Sequence, residues 1–162
     1  MIKFRNYSSY FIATILPIII LIFFFRLWQF DFAKPVFSYS QDGLFYLFIT
    51  KLVITEGWFF SSNFLGYPQF NSGFYLHDFP IHADSFNILI TKFLGIFSQN
   101  PFEVVNYFFI TTFALNSLAA FIVLRYFKIS NFSAILIATL FAFLPYHFVR
   151  ITWHLYLSNY SI

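Results

Sequence analysis

Three places in this chain carry side chains that could do chemistry. The first is Asp42, in "SYSQDGLFY", an isolated carboxylate just ahead of an apolar run. A carboxylate there can cap a helix by accepting backbone N–H bonds. At a membrane–water boundary it can instead take a proton from an acceptor hydroxyl or bind a divalent cation. The second is "HDFPIHAD", where His77, Asp78, His82 and Asp84 set two imidazoles and two carboxylates within eight residues. Those are the donors a metal site wants, but the spacing fits no zinc signature. Pro80 prevents one continuous helix from aligning them, and Asp84 is equally placed to cap a helix beginning at Ser85. The third is His147, Arg150 and His154, in "FLPYHFVRITWHLYLSNY". A helix continuing past Pro145 would stack these positions, three and four apart, on one face. A cationic face at a membrane boundary suits a lipid phosphate or pyrophosphate. The plainer reading has Arg150 snorkelling among histidines of the headgroup layer.

The elements that must position these groups are apolar. The 162 residues are 60% hydrophobic and 27% aromatic, with only 9% charged, where a soluble domain carries about 25% charged residues. So much apolar side chain cannot be hidden inside a chain of this length, and lipid is the natural solvent for the excess. The net charge of +3 is scattered, with no basic run, so an electrostatic footprint for nucleic acid is missing. Cysteine is absent, which excludes disulfide and thiol chemistry. The fold class this predicts is all-α and polytopic.

Three stretches are long enough to span. The first is "YFIATILPIIILIFFFRLWQF", about Tyr10 to Phe30. Bulky residues stand where a signal peptidase wants small ones, so an uncleaved helix is expected, bent at Pro17. The second is about Val104 to Phe127, with Asn100 as cap, Pro101 at the first helical position and Glu103 three residues after the cap. The third is about Phe132 to Phe148, with Ser130 as cap. The short turn between the last two makes them antiparallel neighbours. Asn116 and Ser117 fall mid-span among Ala114, Ala119 and Ala120, a composition that suits close helix contact. Lys3 and Arg5, and Arg125 with Lys128, lie an even number of crossings apart. By the positive-inside rule both groups are cytoplasmic. The region from about 31 to 103 is then a long extracytoplasmic loop. Two apolar stretches in it, "DGLFYLFITKLVITEGW" and "DSFNILITKFLGIF", read as interfacial helices with their aromatics toward lipid.

The order "SQDGLFY", "EGW", "FLGYP", "HDFP", then "FAFLPYHFVR" and "WHLYLSNY" resembles multi-spanning proteins of the glycosyltransferase C type, in particular an uncharacterised bacterial and archaeal branch. The resemblance runs from about Tyr10 onward and rests on no single diagnostic motif. It implies a cell-membrane, multi-pass enzyme that transfers a sugar, with inversion, from a polyprenyl-phosphate donor. It implies a catalytic acid early in the first loop, which maps onto Asp42. The second acid maps onto Asp78, with Asp84 in reserve. Arg150 and His154, with His147 beside them, would grip the donor phosphate. A divalent cation, Mg or Mn, would find its ligands in Asp42 and Asp84. The family carries ten or so spans, so this chain reads as an N-terminal part whose parent supplies the remainder, inactive by itself. The rival reading is a non-enzymatic scaffold or a transporter fragment, for which ionisable groups at mid-membrane would be the mark.

Overall fold

The computed structural model describes residues 7–35, 42–55, 85–150 and 154–161, except for the side chains of 42, 85 and 150. It contains six α-helices among those residues, and no strand. The molecule is an all-α polytopic membrane protein. Three apolar stretches are long enough to cross a bilayer: helix α1 (Tyr7–Phe25), a 26-residue helix α4 (Pro101–Tyr126), and Asn131–Val149. At 1.5 Å per residue, α4 is about 39 Å long, more than a hydrocarbon core of about 30 Å needs. Its ends therefore reach the headgroup layers.

Local chemistry sets most of the boundaries. The side chain of Asn100 accepts the Phe102 N–H at 2.9 Å, and Pro101 follows it as the first residue of α4. Ser130 Oγ accepts the Ser133 N–H at 3.2 Å and opens α5 (Asn131–Ala142). Between them Lys128 turns the chain with φ 61°, and the Arg125 guanidinium donates to the Ile129 carbonyl. Helix α1 starts earlier and stops sooner than the hydropathy suggests. Arg26 adopts left-handed backbone, φ 51° and ψ 46°, which a non-glycine residue seldom takes within a helix. A 3₁₀ turn at Leu27–Gln29 follows. The third span is two helices rather than one, because α5 ends at Ala142 and α6 (Pro145–Arg150) restarts after a break at Phe143 and Leu144.

Helix α4 is the axis of the bundle, with α1 and α5 against it. Near the α4–α5 turn the packing is small and tight, with Ala13, Phe121, Ala134 and Ala138 in one buried cluster. Toward the other end, α2 (Asp42–Thr55) and α3 (Ser85–Leu94) dock on α4. Their Ile49, Leu52, Val53 and Ile88 join Val105, Phe108 and Phe109 in the larger core. The amine of Lys92 donates to the Val53 carbonyl at 2.7 Å, closing the last turn of α2, where a cation meets the negative end of the helix dipole. Gly95 lets α3 approach so closely that a Cβ there would lie 2.6 Å from Ile54 Cγ2. The outer surface is apolar, with Phe11, Phe23, Phe24, Phe132 and Leu140 exposed, as lipid-facing side chains should be.

Pro17 lies inside α1 and is buried. Its ring nitrogen has no hydrogen, so the Ala13 carbonyl one turn earlier loses its helical donor. The Ser117 hydroxyl of α4 donates to that carbonyl at 2.7 Å. This is how a bundle tolerates proline in lipid: a neighbouring helix re-satisfies the freed backbone group. The helix contact expected of Ser117 thus has a specific purpose. Asn106 serves the irregular segment after α1 in the same way, donating to the carbonyls of Phe32 and Lys34 at 2.9 and 3.0 Å.

Candidate functional site

The region singled out around His147 is organised by Pro145. Without an N–H at Pro145, the Phe141 carbonyl cannot receive its regular helical bond. It takes the Leu144 N–H at 3.3 Å and the Tyr160 hydroxyl at 2.8 Å. The next carbonyl, Ala142, faces His147 Nδ1 at 2.8 Å. A carbonyl only accepts, so Nδ1 carries the hydrogen. The other nitrogen, Nε2, lies 2.7 Å from Thr112 Oγ1 on α4. That hydroxyl is also 2.6 Å from the Phe109 carbonyl, so one proton faces two acceptors. The imidazole lies flat on Phe113, with ring centroids 3.9 Å apart and an interplanar angle of 18°. His147 is wholly buried, and both of its nitrogens are engaged within the protein.

Beyond α6 the chain turns back on the bundle. His154 has non-helical backbone, φ −135° and ψ 62°, ahead of a 3₁₀ turn at Leu155–Ser158. One continuous helical face carrying His147, Arg150 and His154 is therefore not formed. Arg150 ends α6, and its side chain is outside the described residues. The returning tail is driven by burial and pinned by amides. Leu155 and Tyr156 enter the larger core. Asn159 donates to the Asn87 side-chain oxygen at 2.7 Å, and Asn116 donates to the Ser158 carbonyl at 2.9 Å. Asn116 therefore gives its amide hydrogen to the tail.

Asp42 is the first residue of α2, and its side chain also lies outside the described residues. Tyr46, one turn later, meets Tyr156 edge-to-face at 5.1 Å. The start of α2 is thereby tied to the tail two residues past His154. His77, Asp78, His82 and Asp84 fall outside the described residues. Among the described residues no three His, Asp or Glu side chains come close enough to hold a metal ion. Asp31, on the surface, is held below the usual carboxylate range by hydrogen bonds from Lys34 and the Ala33 N–H.

Tyr160, Thr112, Asn87 and Asn159 have no local pattern that marks them in the sequence. Each is a polar side chain within or beside an apolar stretch, and two of the four serve the break at Pro145. A proline in a span is the signal that donors are needed, although it does not say which. Compared with protein-family models, curated proteins and solved structures, the chain matches none.

Proposed function

We propose that this chain belongs to a membrane glycosyltransferase that uses a polyprenyl-phosphate sugar donor. The observation that carries the reading is the tie between the start of α2, where Asp42 stands, and the tail beside His154, made through Tyr46 and Tyr156. It brings the first turns of α2, which begins at Asp42, against the tail that follows His154, far apart in sequence. The reading takes the N-terminus as cytoplasmic and the loop as extracytoplasmic, from the placement of Lys3, Arg5, Arg125 and Lys128.

In this mechanism Asp42 takes the proton of an acceptor hydroxyl. The hydroxyl oxygen attacks the anomeric carbon, the bond from that carbon to the phosphate oxygen breaks with inversion, and polyprenyl phosphate leaves. Arg150 and His154 bind the leaving phosphate, where charge develops. His147, with both nitrogens occupied by Ala142 and Thr112, acts by holding the break that places Arg150. Asp78 is the second acid of the proposal.

The test is sugar transfer from a polyprenyl-phosphate donor in liposomes carrying the chain together with the further spans this reading expects, with abundance measured in parallel. Asp42→Asn keeps the size and one acceptor for capping but removes the base, so transfer should fall at least about 100-fold at unchanged abundance. Full transfer by the Asn variant would assign Asp42 to capping alone.

A second reading, a transporter or scaffold, rests on a separate observation. Asn116 Oδ1 and Thr139 Oγ1 are buried without a hydrogen-bond donor among the described residues. Interior acceptors of that kind suit a polar solute or a donor from a further helix.

A further inference from the structure

All six acidic residues of this chain lie between Asp31 and Glu103. The turn from α4 to α5 is outside that stretch and carries two cations, Arg125 and Lys128. The start of α1 packs at the same end of the bundle, where Tyr10 meets Phe121 edge-to-face at 5.0 Å. The sequence ahead of α1 adds Lys3 and Arg5 and no acid. Among the described residues the salt bridge is that of Lys34 with Asp31, beside the opposite end of α4. The charge at the turn is therefore left for something outside the chain to balance.

The backbone favours another residue where one of these cations stands. Lys128 follows the last turn of α4 in left-handed conformation, φ 61°, where glycine or asparagine is the usual residue. A lysine there carries the steric cost of its Cβ. Compensation of the α4 dipole is already supplied by Arg125 in the last turn, whose guanidinium also donates to the Ile129 carbonyl. Lys128 itself is exposed. Around it Tyr126, Phe127 and Phe132 are 75%, 68% and 79% exposed. Aromatic rings so placed suit the headgroup level of a bilayer, and α4 is long enough to put its end there.

We propose that the α4–α5 turn binds an anionic phospholipid, with the headgroup phosphate on Lys128 and the glycerol and upper acyl chains among Tyr126, Phe127 and Phe132. Charge complementarity selects the lipid class, because a cationic end without carboxylates attracts an anionic head more than a zwitterionic one. Helices α2 and α3 dock toward the other end of α4, so the site is independent of the proposed sugar-transfer centre.

The full chain would be reconstituted in nanodiscs containing equal amounts of phosphatidylcholine and phosphatidylglycerol, one of them bearing a photocrosslinker near the glycerol. Adducts would be mapped by mass spectrometry. The expected result is labelling of residues 124–133 that favours the phosphatidylglycerol probe. Lys128→Asn removes the charge and tolerates left-handed backbone; it should lower that preference about fivefold, the effect of one cation near the surface. Lys128→Gly should do the same without lowering the thermal midpoint of unfolding, because glycine suits the backbone there. Lys128→Arg should keep the preference, and so should Arg26→Gln, which removes a cation from the opposite end of α1. Equal labelling of the turn by the two probes in the unmodified chain would overturn the proposal. So would a preference that survives Lys128→Asn and Lys128→Gly, or one lost only in variants that also unfold.

Discussion

Replacing Ser117 with alanine tests the idea that α4 completes α1. The hydroxyl lies 2.7 Å from the Ala13 carbonyl, and both residues are wholly buried. Polar contacts between membrane helices are worth about 0.6 kcal/mol on average and at most about 1.7. Here the partner left behind is a carbonyl without a helical donor, and stranding a buried acceptor costs about 1–3 kcal/mol. Ser117→Ala should therefore destabilise the bundle by about 1–2 kcal/mol, at the upper end for a single hydroxyl. The decisive step is to repeat it with Pro17→Ala. Alanine restores an N–H at position 17, so the Ala13 carbonyl regains its own helical donor. In that background Ser117→Ala should cost no more than about 0.5 kcal/mol, giving a coupling near 1 kcal/mol. Pro17→Ala also removes buried ring atoms, and the double-mutant cycle cancels that term. The assay is reversible unfolding in mixed micelles, followed by helical circular dichroism. An equal cost of Ser117→Ala in both backgrounds would refute the assignment of the hydroxyl to the proline-freed carbonyl.

Tyr160→Phe removes the hydroxyl that serves Phe141 and Ala142; it should cost about 1 kcal/mol in the same unfolding assay, and much less when combined with Pro145→Ala. Thr112→Val strands His147 Nε2 without its hydroxyl partner and should cost about 1–3 kcal/mol, while Thr112→Ser should be tolerated. In nitrogen NMR of the folded protein the His147 imidazole should carry its proton on Nδ1 when neutral; an Nε2–H tautomer would contradict the Ala142 contact. A reporter fused after Lys128 should read from the cytoplasm, and an outside signal would reverse the orientation on which the proposed mechanism stands.

Hydropathy and caps made much of the fold legible. The second span and its start were readable because Asn100 and Pro101 act within their own turn, and Ser130 opens the third in the same local way. The helices of the loop were readable as short apolar runs flanked by polar residues. The end of α1 was not, because the apolar run passes through Arg26 and only the backbone of that residue departs. The return of the tail was hidden for another reason. It depends on Asn87 meeting Asn159 across 72 positions, and no local pattern encodes a partner so distant. His147 was legible as a notable side chain but not as an inward-facing one. Its direction follows from the break at Phe143 and Leu144, which a continuous helical spacing cannot represent.

The bond from Ser117 to Ala13 also has a consequence in time. Its partners are 104 residues apart, and a ribosome adds about 5–20 residues per second. The first span therefore waits about 5–20 s after it is made before the hydroxyl that completes it exists. Through that interval an unmet carbonyl sits in the middle of a helix entering the bilayer. A nascent α1 should be reluctant to leave the protein-lined insertion channel for lipid until α4 arrives. The two helices would then be released together, so that the last step of membrane integration is a pairwise event set by a proline near the start of the chain.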